Sequence, residues 1–436
     1  MGIYIPDSTQ PRVVIVGAGF AGLKLARKLA LLPYQVVLLD RNNYHQFQPL
    51  FYQVAMAGLE PSSIVFPLRK LFQKRANVFI RLAEVESVRT EEKILNTSLG
   101  PLAYDHLVLA MGATTNFFGN ERLEKLAIPM KTVGEALGIR NAILEDYEKS
   151  IVTPDFEERQ ELIDIVVVGG GPTGVEICGA LAEMRKYVLP KDFSELNCGE
   201  IDIHLIQSSG VLLKGMSGKA SAAALKSLEK LGVNVKLNTR VTDYDGAYVH
   251  MNDGTSIRAN KVIWAAGIKA NEIAGLPADA QGQGCRLKVN RFNQLEGMEQ
   301  VYAIGDMAYM EEEAYPQGHP QVAQVAMQQA EQLARNLKGT LSGRAWKPFK
   351  YKNRGSMATI GRHRAVVDMP HIHINGAFAW FIWLYVHLYK LLGTKNKLFV
   401  FLNWMWNYVT YDQSLRLIIR PIKRKEEEVC PDSCRE

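Results

Sequence analysis

The pattern G-x-G-x-x-G occurs twice in this chain, each time between an apolar run and the start of a helix. The first copy is VVIVGAGFAG at Val13–Gly22, with Gly17, Gly19 and Gly22 in the three glycine places. The second is VVVGGGPTGVE at Val166–Glu176, with Gly169, Gly171 and Gly174. In such a turn the first glycine permits the tight bend. The second lets a pyrophosphate approach the backbone, and the third lets the helix pack close to the strand. The N–H groups at the helix start, with the helix dipole, then hold the phosphates. One copy alone is a weak signal. Two copies about 150 residues apart point to two dinucleotides and a reaction between them.

The context strengthens both copies. Arg12–Val16 reads as a buried strand, Gly22–Leu31 as the following helix, and Val36–Leu39 as the next strand, ending at Asp40. An acid there accepts hydrogen bonds from an adenosine ribose. Ile165–Val168, Gly174–Arg185 and Ile203–Ile206 repeat the plan, but the repeat ends at Gln207. A carboxylate in that place would repel a 2′-phosphate, whereas a neutral amide does so only weakly. NADH is therefore the expected donor and NADPH is admitted. Further strands are expected at Val78–Ile80, Val85–Val88, Asp105–Gly112, Lys261–Gly267 and Glu299–Asp306, and helices at Thr132–Tyr147 and Pro320–Leu337. The aromatic and amide-rich stretch Asn42–Gly58 has little helical period and reads either as a packed core loop or as a segment wrapped along a flat aromatic cofactor.

Composition excludes several classes. Hydrophobic content of 47% with 22% charged residues is that of a globular chain, not a disordered one. The net charge of +6 is too small to argue for nucleic acid. It is also unevenly placed: residues 346–436 hold 15 Lys+Arg against 7 Asp+Glu, and the rest holds 36 against 38. The five cysteines form no C-x-x-C, so neither a zinc framework nor a thioredoxin-like redox pair is expected, and Cys178 reads as core. The C-x-x-x-C of Cys430 and Cys434 reads as incidental. MGIYIPDSTQ lacks the pattern of a signal peptide.

The basic region is also the apolar one. Ala377–Leu392 is AFAWFIWLYVHLYKLL, roughly 24 Å as a helix and short of the ~30 Å hydrocarbon core. Leu398–Tyr411 is LFVFLNWMWNYVTY, with Asn403, Asn407, Thr410 and Ser414 making a narrow polar stripe. Trp380, Trp383, Trp404 and Trp406 suit a water–lipid boundary. Lys395 and Lys397 lie between the stretches, and Arg416, Arg420, Lys423, Arg424 and Lys425 follow. The expectation is a helical pair lying in one leaflet and not spanning it, against the alternatives of a homodimer interface or the core of a third domain.

With these residues in view, Arg12–Leu337 resembles the flavoproteins with two dinucleotide folds. Tyr44–Ala55 (YHQFQPLFYQVA), Val301–Asp306 (VYAIGD), Ala323–Ala330 (AQVAMQQA) and the aromatic Ala377–Pro421 narrow the resemblance to the type II NADH dehydrogenases. These are single-subunit NADH:quinone oxidoreductases that pump no protons. The resemblance implies an α/β fold with two Rossmann-like domains and a C-terminal amphipathic helical membrane anchor. The implied domains are residues 1–125 and 281–345 for FAD, 126–280 for NAD(P)H, and 346–436 for the membrane, on its cytoplasmic face. It implies FAD on the first unit, with Gly17, Gly19, Gly22, Asp40, Arg41, Gln48, Gln53, Val85, Ala110, Gly112, Gly305 and Asp306 as candidate contacts. The nicotinamide nucleotide falls to Gly169, Gly171, Thr173, Gly174, Glu176, Gln207, Ala266 and Gly267. Glu176 and Gln324 match residues beside the quinone, Gln328 is a further candidate there, and no metal is implied. A reductase of a soluble electron carrier, or an NADH-sensing flavoprotein scaffold, are the alternatives the glycine motifs also admit.

Overall fold

The computed structural model describes residues 3–410 and 415–419. Two parallel sheets organise them. The first has the order Gln294–Leu295, Met298–Ala303, His106–Leu109, Arg12–Val16, Gln35–Asp40, Val78–Leu82, parallel except for its first, hairpin-linked strand. The second runs Ile128–Pro129, Lys261–Trp264, Ile165–Val168, Ile203–Ile206, Asn234–Lys236, parallel throughout. Val13–Val16 and Ile165–Val168 are buried on both faces, as the unbroken β-branched runs require.

Each glycine motif leads into a helix on its sheet, Phe20–Leu29 and Pro172–Tyr187. Pro172 at the first helical position and Arg185 and Lys186 in the last turn suit the start and end of the second helix. The helix Val133–Ser150 begins at Thr132, whose hydroxyl and the Glu135 carboxylate cap one another's backbone N–H groups.

Asn42–Gly58 forms the short strand Tyr44–Gln46, a 3₁₀ turn at Gln48–Leu50 and the helix Phe51–Ala55. The glutamine helix Ala323–Thr340 packs on Phe20–Leu29 and is tied to it by a Lys24–Glu331 ion pair of 2.7 Å.

The region after residue 345 differs from a purely helical anchor. It opens with an antiparallel sheet, Ser356–Gly361, Arg364–Met369 and Ile372–Asn375. This sheet lies on the helix Pro172–Tyr187, and Ala358, Ile360, Val366 and Trp383 share one core with Val167, Ile177 and Leu181. The helices Ala377–Lys390 and Thr394–Thr410 follow. Arg420, Lys423, Arg424, Lys425, Cys430, Cys434 and Ser414 lie outside the described residues.

Among the described residues no helix is long and apolar enough to cross a membrane. The polar stripe of the last helix turns inward instead. Asn396 donates to the carbonyl of Val65 (2.9 Å), Asn407 to that of Gly58 (3.3 Å), and the Trp404 indole to Gln53 Oε1 (2.8 Å). Phe378, Phe381, Tyr385, Tyr389, Phe399, Leu402, Met405, Trp406 and Val409 stay exposed. Of the four tryptophans expected at a boundary, Trp383 is buried and Trp404 is committed to Gln53.

Candidate active site

The two glycine turns have the same geometry. Gly17 has φ +99° and Gly169 φ +110°, and a Cβ on either would collide with the backbone of Ala110 or Ala265. A Cβ on Gly22 or Gly174 would stand 1.9 Å from the carbonyl oxygen of Gly17 or Gly169, so the third glycine admits no side chain. Gly19 and Gly171 have nothing within 4 Å of that position. That open space over the helix N-terminus is what a pyrophosphate needs, so both cradles fit a dinucleotide.

Asp40 and Gln207 are also equivalent in place. Ala18 N–H donates to Asp40 Oδ2, and Gly170 N–H donates to Gln207 Oε1, each at 2.7 Å. Gln207 Nε2 donates to Ser209 Oγ at 2.5 Å. Burial raises the Asp40 pKa, partly offset by the Ala18 and Asn42 N–H groups and by Arg41.

The other first-unit candidates are distributed around this turn. Ala110 lies beneath Gly17, and Ala83 N–H bonds to the Asp40 carbonyl (3.1 Å), which brings the strand beginning at Val85 near the acid. Arg41 and Gln48 are exposed. Gly112 and Gly305 have positive φ, and Gly305 N–H donates to Gln329 Oε1 (2.7 Å). Asp306, next to it, has its pKa raised by burial, with Lys131 and Arg286 acting in the opposite sense. Thr173, Ala266 and Gly267 are half-buried in the second unit.

A cavity lies between the second nucleotide helix, the helix Phe51–Ala55, the C-terminal sheet and the last two helices. Tyr52, Gln53, Glu176, Glu183, Thr359, Arg362, Trp380 and Trp404 are among its walls. The Glu176 carboxyl faces it. Desolvation pushes the Glu176 pKa up to about 8, opposed only in part by Thr359 N–H at 3.4 Å and the Trp383 indole. A carboxyl in that state holds a proton at neutral pH.

Around it, Gln53 Nε2 donates to Tyr52 Oη (2.7 Å) while its oxygen accepts from Trp404. Burial first, and then the Glu176 charge, raise the Tyr52 pKa. His387 stacks on Trp383 at 3.9 Å between ring centroids, and burial pushes its pKa down to about 4. Its Nδ1–H donates to the Trp383 carbonyl (2.7 Å), which opposes that shift only in part. Aromatic walls, a protonated carboxyl and few other charges suit a flat, neutral, proton-accepting guest.

Two sequence candidates are elsewhere. Gln324 and Gln328 do not line this cavity. Gln324 donates to the Gly355 carbonyl (3.0 Å) and accepts from Arg354 N–H (3.1 Å). Gln328 donates to the Lys352 carbonyl and accepts from its N–H, each at 3.0 Å. Asn336 treats Lys347 in the same way. This side-chain row, four and eight residues apart on one helix face, zips an extended segment to the helix, because one amide can serve both a backbone N–H and a backbone C=O.

The sequence reading missed Glu183, Thr359 and Arg362. Glu183, seven residues after Glu176 on the same helix, carried a signal in its spacing. Thr359 and Arg362 depend on a sheet that was not expected. Cys178 is buried core, as read.

Comparison with known proteins agrees with this architecture. Residues 11–330 match the pyridine nucleotide-disulphide oxidoreductase family model, and residues 353–410 match the NDH2 C-terminal domain. The chain is 34% identical over 414 residues to the type II NADH:quinone oxidoreductase Ndh of Mycobacterium tuberculosis, covering 92% of this chain and 88% of that one. It is 33% identical over 410 residues to NdhA of the same organism, covering 90% and 86%. The fold superimposes on NDH2 from Plasmodium falciparum, solved in complex with NADH, with a TM-score of 0.86 at 23% identity, covering 94% of this chain and 100% of that one. The chain therefore belongs to the pyridine nucleotide-disulphide oxidoreductase family and, within it, to the type II NADH:quinone oxidoreductases.

Proposed function

We propose that this protein oxidises NADH and reduces a membrane quinone through bound FAD, without pumping protons. The observation that carries the reading is the Glu176 cavity, which joins a nucleotide-binding helix to an aromatic C-terminal region. FAD, when bound, supplies the redox chemistry, accepting a hydride from the nicotinamide and passing two electrons to the quinone. The chain supplies binding and protons. On this reading residues 1–125 and 281–345 hold FAD, with Gly17, Gly19, Gly22, Asp40 and Asp306 nearest to it. Residues 126–280 hold the nicotinamide nucleotide, through Gly169, Gly171, Thr173, Gly174 and Gln207. Glu176 gives its proton to the quinone oxygen, and Gln53, Tyr52 and Trp404 shape the wall around the ring. Gln324 acts one step away, bracing the segment that leads into the C-terminal sheet.

Gln207 sets the donor. Its amide oxygen already serves Gly170 N–H, so no anionic oxygen faces the ribose. Gln207→Glu is expected to raise the preference for NADH over NADPH by about tenfold, the effect of a carboxylate facing a 2′-phosphate. Steady-state kcat/KM for the two donors checks it, and an unchanged ratio would remove Gln207 from specificity.

Residues 346–436 hold the protein to the cytoplasmic face of the membrane as a monotopic anchor, a surface also available to a homodimer. Each buried large apolar side chain contributes roughly 1.5–3 kcal/mol, against about 1 kcal/mol for each cation near anionic lipid. Exposed apolar side chains of the last two helices far outnumber Lys395 and Lys397 there. High salt is therefore expected to leave the protein on membranes and detergent to release it. Release by salt alone would refute the apolar anchor.

A further inference from the structure

Reducing a quinone with NADH consumes one solvent proton: NADH, H⁺ and quinone give NAD⁺ and quinol. Glu176 holds a proton in the wall of the cavity, beside buried Tyr52. It must be reprotonated once per turnover.

The cavity has one other carboxylic acid, Glu183. It follows Glu176 by two helical turns on the same face, about 10 Å along the axis. Arg362 N–H donates to Glu183 Oε1, and the Arg362 guanidinium stacks on Tyr408 at 4.5 Å, a residue 43% exposed. Glu183 is thus linked through Arg362 to Tyr408, an exposed residue of the cavity wall. The hairpin of the C-terminal sheet grips both acids from above, with Thr359 N–H on Glu176 and Arg362 N–H on Glu183.

We propose that Glu183 is the outer member of a two-carboxyl proton relay that recharges Glu176 from solvent. A solvent acid protonates the Glu183 carboxylate. That proton passes through water admitted by the cavity to the Glu176 carboxylate, whose own proton has gone to the quinone oxygen as NADH supplied the electron pair. Burial raises the Glu183 pKa, so the acid can hold a proton, and Arg362 and Arg364 act in the opposite sense by stabilising the anion left when that proton moves inward. Glu183 acts through Glu176 and does not touch the quinone. The proposal rests on the cavity's being the quinone site.

The test uses full-length, FAD-loaded protein in detergent, with oxidation of the NADH-reduced flavin by a soluble ubiquinone analogue followed by stopped flow. Glu183→Gln keeps an oxygen for Arg362 N–H. It is expected to slow this step at least about tenfold and to raise its solvent deuterium isotope effect. Formate should restore the rate with rising concentration, and Glu183→Asp should retain most of it. A wild-type rate and isotope effect in Glu183→Gln would overturn the relay, as would a loss that neither formate nor aspartate relieves. Glu176→Gln, run alongside, separates the two claims. If it is slow while Glu183→Gln is normal, only the relay fails; if both are normal, the cavity is not the quinone site.

Discussion

Gly179→Ala is expected to remove most quinone reduction while leaving flavin reduction by NADH nearly intact. Gly179 lies in the second nucleotide helix between Glu176 and Glu183. A Cβ there would stand 1.9 Å from the carbonyl oxygen of Ile360, with the Ile360 carbonyl carbon at 2.5 Å. The obstacle is backbone, held in the strand Ser356–Gly361, so no rotamer change relieves it. Overpacking of this kind costs roughly 1–3 kcal/mol or forces the neighbour away. Here the neighbour is the hairpin that supplies Thr359 and Arg362, and its withdrawal opens the cavity roof. The nucleotide cradles, at the start of this helix and on the other sheet, are not in the path. Separate measurement of the two half-reactions checks this, together with hydrogen exchange over Ser356–Met369, which should lose protection. Normal quinone reduction in Gly179→Ala would mean that close docking of the sheet is unnecessary.

Glu176→Gln is expected to slow quinone-side oxidation by about 10²-fold or more, the usual worth of a positioned proton donor. The pH dependence follows from the raised pKa. Burial favours the neutral acid, so the proton is present below about 8 and is lost as pH rises through that value. The wild-type oxidative step should therefore decline above pH 8 with a single alkaline limb. In Glu176→Gln the limb should vanish and the rate should be low throughout. A limb that persists in the variant would assign it to another group.

Much of this was legible in residue spacing. The glycine triplets predict two nucleotide cradles because their requirement is steric and local: a carbonyl 1.9 Å from a missing Cβ tolerates nothing else. Strand ends such as Ile165–Val168 follow from unbroken apolar runs bounded by glycine. The C-terminal sheet was not legible. Its strands are four to six residues long and owe their stability to packing on the second nucleotide helix, which no local pattern announces. The role of Gln324 and Gln328 is ambiguous in sequence for a related reason. Glutamines four residues apart suit a ligand pocket or a backbone zipper equally well, and the extended segment at Lys347–Gly355 decides it. The last helix shows the limit of counting apolar residues. Its asparagine stripe predicts an amphipathic helix, but only the carbonyls of Gly58 and Val65 show which face meets the protein.

The most direct test of the central claim is a structure determined with a soluble quinone analogue bound to the FAD-loaded protein. The ring should lie in the cavity between Glu176 and the aromatic walls of Trp380 and Trp404, with one quinone oxygen within hydrogen-bond distance of the Glu176 carboxyl. A ring bound outside that cavity, with Glu176 untouched, would contradict the account.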